Sequence, residues 1–390
     1  METVSRLLVC PKRSFFLFGP RGVGKSTWLK KELHRAVYFN LLDTRLYLEL
    51  SRAPSLLEAK VGDKPADTWV CVDEVQKIPD LLNEVHRLME SKRWKFALSG
   101  SSARKLRRGG VNLLAGRAIT REMAPFSYGE LGNKFPLRQV LEWGLLPLVV
   151  LHPHDAPDTL TAYVHTYLKE EIKEEGLVRK VEPFVRFLEI AGLMNGQQIN
   201  SENIARDAHI PRSTVDVYFS ILEDTLLGYF LKPYRPGAKV REQAHRKFYW
   251  FDAGVARGAA NLLYDPLEPG WLGYALETMI FHEMRVHNHV RGKNRPFYYY
   301  RVGGIEIDFV IETRKRTMSQ KPEVICLEVK GSKKWDRKWE KPIRSLKETG
   351  RISVKKMVGV YLGEESFHFN GFDVLPALEF LTLLHEGKIF

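Results

Sequence analysis

Short apolar runs separated by glycine-rich and polar turns dominate the first hundred residues. Phe15–Phe18, Trp69–Val72 and Lys95–Leu98 lack the alternation of a half-solvated strand and predict buried strands of a parallel sheet. The pattern then changes. Tyr163–Glu175 is amphipathic at helical spacing, and Ser201–Val215 reads as a short helix, a turn and a second helix. Val215, Phe219 and Leu222 supply the buried stripe of that second helix. Leu226–Tyr234 and Lys247–Phe251 fit the strands of a wing, and Gly273–Arg285 fits a helix. Phe297–Tyr300, Glu306–Val310 and Val324–Lys330 predict three successive strands. The Pro, His and Asp residues of 152–163 are linker-like. The expected division is therefore an α/β core at 1–151, a helical linker and winged-helix segment at 152–255, and a carboxyl-terminal α/β domain with a mixed sheet at 256–390.

Charge sharpens that division. The chain carries a net charge of +13, and residues 231–390 hold 28 Lys and Arg against 19 Asp and Glu, a balance of +9. The basic end is thus the expected polyanion end. One cluster is Lys232, Arg235, Lys239, Arg241, Arg246 and Lys247. Another is Lys333, Lys334, Arg337, Lys338 and Lys341, interleaved with Trp335 and Trp339. The bland alternative is a solvated basic face. The helix after the turn carries Asp216, Glu223 and Asp224 with only Arg212 plainly basic, which disfavours reading a major groove and favours a lid or packing role. Trp143–Leu151 is the longest near-apolar run and is far too short to span a bilayer. The amino-terminal residues lack an export signal, so a cytoplasmic location is expected. Cys10, Cys71 and Cys326 are too scattered for a zinc site or disulfide framework.

The first apolar run ends in Gly19-Pro20-Arg21-Gly22-Val23-Gly24-Lys25-Ser26, followed by Thr27. Strand, glycine-rich loop and helix in that order form a phosphate cradle, and ATP with Mg²⁺ is the expected cofactor pair. Lys25 would reach the β- and γ-phosphates, and the Ser26 hydroxyl would ligate the metal. The second run delivers Asp73, expected to hold Mg²⁺, and Glu74, expected to polarise the attacking water. The third runs into Ser99-Gly100-Ser101, making Ser99 or Ser101 the γ-phosphate sensor candidate. Arg117 is the candidate arginine finger for a neighbouring subunit's nucleotide, the alternative being a surface arginine among Arg104, Arg107, Arg108 and Arg121.

GPRGVGKS, VCVDE, FALSGSS, LLAGRA and APFSYGEL together resemble bacterial and archaeal AAA+ ATPases that carry a carboxyl-terminal nuclease-like domain of unknown function. That resemblance implies a ring, commonly a hexamer, with nucleotide between adjacent subunits. Downstream, Asp308 and the Glu328-Val329-Lys330 triplet fall on neighbouring predicted strands, where Glu328 and Lys330 share a face. Asp308 and Glu328 are candidate metal ligands, with Lys330 placed to orient water or neutralise an oxyanion. The set resembles the PD-(D/E)XK superfamily, which includes restriction endonucleases and archaeal Holliday-junction resolvases. Glu277 matches the additional acidic residue of many of its members. His282, His287 and His289 read as helix-surface or end residues. Two functions follow. One is an ATP-driven machine on DNA, branched junctions included, that grips or cuts its substrate. The other is a nucleotide-controlled switch in defence or signalling that holds a protein partner.

Overall fold

The computed structural model describes residues 4–101, 104, 106, 114–168, 181–235 and 246–390. Lys239 and Arg241 of the first basic cluster, with Arg107 and Arg108, lie outside them, as does the end of the amphipathic segment expected to reach Glu175. Strands β1 (Phe15–Phe18), β2 (Val37–Asn40), β3 (Trp69–Asp73), β4 (Lys95–Gly100) and β5 (Ile119–Glu122) form one sheet in the order β2-β3-β4-β1-β5. Every pairing in it is parallel. The run of four apolar residues in β1 is explained by burial on both faces. Phe15 and Leu17 enter one core, whereas Phe16 and Phe18 enter another.

The middle of the chain runs from the helix Val181–Leu193 through β6 (Gln197–Gln198), the helices Ser201–Asp207 and Arg212–Asp224, then β7 (Gly228–Pro233) and β8 (Lys247–Trp250). The Asn200 side chain accepts from the amides of Glu202 and Asn203 and so starts the first short helix. Val215, Phe219 and Leu222 are buried, as their spacing predicts, and β8 pairs antiparallel with both β6 and β7. Residues 152–163, expected as a linker, instead form a turn and the helix Ala156–Ala162, because Ala156 and Leu160 find places in the core.

The remaining strands are β9 (Phe297–Val302), β10 (Ile305–Arg314), β11 (Glu323–Lys330), β12 (Ser353–Tyr361), β13 (Phe367–Phe369) and β14 (Phe372–Pro376). The three strands expected from the sequence are contained in β9, β10 and β11. The sheet does not stop at β9. It continues through a parallel pairing of β9 with β7 into the preceding segment, giving nine strands in the order β13-β14-β12-β11-β10-β9-β7-β8-β6. The 22-residue helix Pro269–Val290 covers one face.

That helix also closes the seam with the first sheet. The amide of Tyr128 donates to Glu283 Oε1 at 2.7 Å, and His282 Nε2 lies 2.8 Å from the Phe126 carbonyl. His282 and His287 are therefore buried, correcting their expected surface placement, and burial pushes the His282 ring down to about 4. Among the described residues, no helix is long and apolar enough to cross a membrane.

Glu283 offers a test of the seam. Burial raises its carboxyl to about 8, against an ordinary value near 4.5. A carboxyl raised on folding contributes stability that is present in full below its unfolded value and lost progressively as the pH climbs to its folded value. Glu283→Gln should therefore melt at least roughly 2 °C above the wild type at pH 8.5, with the gap shrinking toward pH 5. Thermal melts of both proteins across that range check it.

Candidate functional site

Gly19–Gly24 leaves the carboxyl end of β1 and turns directly into the helix Lys25–Glu32. Gly22 and Gly24 have φ values of 81° and 92°, the left-handed region that favours glycine. At Gly19 a Cβ would stand 2.2 Å from the Met123 carbonyl oxygen, so only glycine lets the loop pass the end of β5. Pro20 and Val23 are buried, Ser26 is half-buried, and Arg21 and Thr27 are exposed. Buried Lys25 donates from Nζ to the carbonyls of Gly19 at 2.7 Å and Pro20 at 3.0 Å. The Tyr163 hydroxyl donates to the Arg21 carbonyl at 3.0 Å, and the Arg21 guanidinium sits 4.7 Å from the Tyr167 ring. Both tyrosines belong to the helical turn Tyr163–Leu168, which therefore braces the outside of the loop.

Beside the loop, Asp73 accepts from the Tyr38 hydroxyl at 2.5 Å and from the Ser99 hydroxyl. Tyr38 also hydrogen-bonds Ser26, so one phenol links the two residues expected at the metal. Burial first, then the Asp73 carboxylate, pushes that phenol well above its ordinary value. Glu74 has a φ of 61°, a left-handed conformation that costs a non-glycine residue about 1 kcal/mol. Gln76 Nε2 donates to Glu74 Oε2 at 2.5 Å and to Ser101 Oγ at 3.3 Å. Ser99 thus engages Asp73, and Ser101 reaches Glu74 through Gln76. A hydroxyl, a carboxylate and hard oxygen ligands throughout make Ser26 and Asp73 a fit for Mg²⁺.

Tyr38 and Gln76 carry no motif and escaped sequence reasoning. The available signal was positional, since β2 ends level with Asp73 in the sheet register.

Arg117 lies elsewhere. Ile119 pairs with Phe15 and Glu122 with Phe18, so Arg117 sits beyond the end of the sheet opposite the phosphate loop. Its Nε donates to Glu90 Oε1 at 2.6 Å on the surface. Arg104 pairs with Asp224 at 2.6 Å, tying the chain just after β4 to the helix Arg212–Asp224.

In the larger sheet Glu277, Asp308, Glu328 and Lys330 converge. Lys330 Nζ lies 2.5 Å from Glu328 Oε1 and 3.4 Å from Asp308 Oδ2, and the Val329 amide donates to Asp308 Oδ2 at 2.9 Å. The sequence missed two contributors from β8. Lys247 Nζ lies 2.7 Å from Glu306 Oε1 and 3.8 Å from Asp308 Oδ1, and the Tyr249 hydroxyl donates to Glu277 Oε2 at 3.0 Å. Lys247 is therefore removed from the exposed basic cluster where it was expected, because pairing of β7 with β9 carries its strand to the carboxylates. A lysine at the head of the apolar run Phe248–Phe251 was the only available signal.

Burial, followed by the charge of Asp308, raises the Glu277 and Glu328 carboxyls to about 8. Burial would lower both lysines, but the surrounding carboxylates prevail and hold them above their ordinary value. Glu328 Oε2 is buried without a hydrogen-bond partner among the described residues. No three His, Cys, Asp or Glu side chains among those residues are placed to hold one metal between them. Mg²⁺ nevertheless takes one or two carboxylates and completes its shell with water, so Asp308 with the unpartnered Glu328 oxygen fits it.

Lys247 balances buried carboxylates, and removing one partner of such a cluster strands the others. Lys247→Met should cost about 3–5 kcal/mol of stability, whereas exposed Arg301→Met, which loses only a 3.5 Å contact to Glu306, should cost less than about 1 kcal/mol. Denaturant unfolding of the two variants measures the difference.

Three family descriptions match successive segments: an AAA domain over residues 11–132, the domain of unknown function DUF8612 over 134–265, and the domain of unknown function DUF4143 over 272–380. No curated protein matches the chain. Similar solved structures include the Aeropyrum pernix ORC1 protein in complex with DNA, at 14% identity and a TM-score of 0.27, covering 64% of this chain and 86% of that one. Another is the Aeropyrum pernix ORC2 protein in its ADP form, at 14% identity and a TM-score of 0.30, covering 72% and 88% respectively. Residues 11–132 are thus those of an AAA domain, and the phosphate loop, Asp73, Glu74, both serines and Arg117 all fall inside them.

Proposed function

We propose that this protein is an AAA+ ATPase that works on DNA. Nucleotide turnover at the phosphate loop moves DNA held by a winged-helix middle and a restriction-endonuclease-like carboxyl domain, which grips or cuts it. The observation that supports this most is a direct path between the two sites. Met123 donates its amide to the Phe18 carbonyl at 2.8 Å at the head of the phosphate loop. The residue before it, Glu122, accepts at Oε1 from Arg285 at 2.7 Å and from Tyr229 at 2.8 Å. Arg285 lies on the helix that carries Glu277, and Tyr229 lies on β7 beside the strand that carries Lys247 and Tyr249.

On this reading the residues take the following roles. Gly19 to Gly24 cradle the phosphates, Lys25 exchanges its two carbonyl partners for phosphate oxygens, and Thr27 lies at the start of the helix beside them. Glu74 orients and accepts a proton from the attacking water, with Ser101 and Gln76 setting its position. Ser26 and Asp73 would hold Mg²⁺, which supplies charge neutralisation at the β- and γ-oxygens. Arg117, facing away from its own loop, acts in trans in a ring, with a hexamer as the expected form. In the carboxyl domain Asp308 and Glu328 would hold a second Mg²⁺, Lys330 orients water or neutralises an oxyanion, and Glu277 is the additional acid. Branched DNA, including four-way junctions, is the expected substrate.

Incubating the protein with end-labelled junction, duplex and single-stranded DNA, with Mg²⁺ and with or without ATP, tests this on native and denaturing gels. DNA should accelerate ATP turnover. Lys25→Ala should lower turnover by roughly 100-fold or more while DNA binding survives, and Asp308→Ala should remove only strand cutting. Turnover indifferent to all three DNAs would replace this proposal with the nucleotide-controlled switch that holds a protein partner.

A further inference from the structure

The larger sheet carries a cavity beside the carboxylates that the roles above leave unused. It has a volume of about 580 Å³, within the range of small-ligand sites. Lys333, Lys334 and Arg337 supply cations on one side, and Trp335, Phe367 and Phe369 supply rings. The Phe367 and Phe369 rings lie 5.7 Å apart and nearly parallel, with the Arg337 guanidinium 4.7 Å from the Phe369 ring. Glu364 and Glu365 also line the wall. Their charge repels a phosphate and so directs it to the lysines.

The cavity lies on the face of the sheet to which Glu328 points. A Cβ at Gly359 would stand 2.4 Å from the Trp335 ring, so the indole lies directly on that residue. Gly359 is the register partner of Glu328 on the adjacent parallel strand. The indole is therefore one strand, roughly 4.8 Å, across from the Glu328 backbone and on the side to which Glu328 points. Beyond the strand ends, Leu362 donates its amide to the Ser332 carbonyl at 2.9 Å, fixing the loop that holds Lys333 and Lys334, three and four residues past Lys330.

We propose that this cavity binds one nucleotide of an unpaired DNA strand, with the base against the aromatic rings and the phosphate on Lys333, Lys334 and Arg337. The inference rests on the DNA-directed function above and adds that the strand delivered to Asp308, Glu328 and Lys330 enters single-stranded. Base faces in a duplex are covered by their neighbours, whereas an unpaired base can stack on an aromatic wall while cations track its backbone.

Fluorescence anisotropy of the full chain with a labelled oligothymidine and with a labelled duplex of equal length tests it. Trp335→Ala and the surface double variant Lys333→Glu/Lys334→Glu should each weaken single-strand binding roughly tenfold or more, and duplex binding less than about twofold. Trp335→Phe should keep most of the affinity. Unchanged ATP turnover in the absence of DNA shows that each variant is folded. Wild-type single-strand affinity in the alanine and glutamate variants, or equal loss on both DNAs, overturns the cavity's role. A wild type that binds duplex and not the single strand overturns the cavity alone, and one that binds neither overturns the DNA-directed function with it.

Discussion

The partly buried carboxylate of Glu122 holds the molecule's two halves in register. Burial alone would raise this group, yet the Arg285 guanidinium and the hydrogen bonds from Arg285 and Tyr229 keep it below its ordinary range, so it is ionised. Its partners come from segments more than 100 residues away, and Arg285 also lies 3.2 Å from the Tyr229 ring. The Glu122 amide adds a contact to His289 Nε2 at 3.3 Å. Such a cluster gains little net stability over an apolar one, because desolvation offsets the attraction. What it does supply is a unique seating, since any shift of β5 against β7 or the long helix leaves a partly buried charge unpaired.

How much of this was legible in the sequence depends on the distance between cause and effect along the chain. The phosphate loop was readable because strand, glycines, lysine and helix are contiguous, and the left-handed φ at Gly22 and Gly24 is a local demand. The pairing of Asp308 with Glu328 and Lys330 was readable because it needs only two neighbouring strands and an alternation of period two. Tyr38 was not, because its role exists only once β2 lies beside β3. Lys247 was less legible still. It became a partner of Asp308 through the parallel pairing of β7 with β9, a contact across some 65 residues that no local pattern encodes. The same pairing explains why a segment of winged-helix grammar became continuous with the next sheet.

The histidines of the long helix make the point in reverse. His282, His287 and His289 looked like surface residues because one polar ring every few positions is what a solvated face shows. The helix instead lies between the large sheet and residues 126–128, which buries His282 against the Phe126 carbonyl and buries His287 as well, whereas His289 stays exposed as expected. Polarity in a sequence records that a group needs a partner, and only the tertiary arrangement decides whether water or protein provides it.

The carboxylate site takes its ligand-like residues from β10 and β11 but its counter-charge from β8 and its fourth acid from the helix. Those last two are the elements to which Glu122 is fastened, through Tyr229 on the neighbouring strand and Arg285 on the same helix. The nine-stranded sheet joins β8 to β11 through continuous backbone pairing, so β8 cannot slide independently without breaking ladder bonds. Packed interiors respond to a push by moving as bodies rather than by deforming. A β5 seated through Glu122 is therefore held to β7 and to the long helix at once, and the helix and β8, the strand paired with β7, carry residues of the carboxylate site.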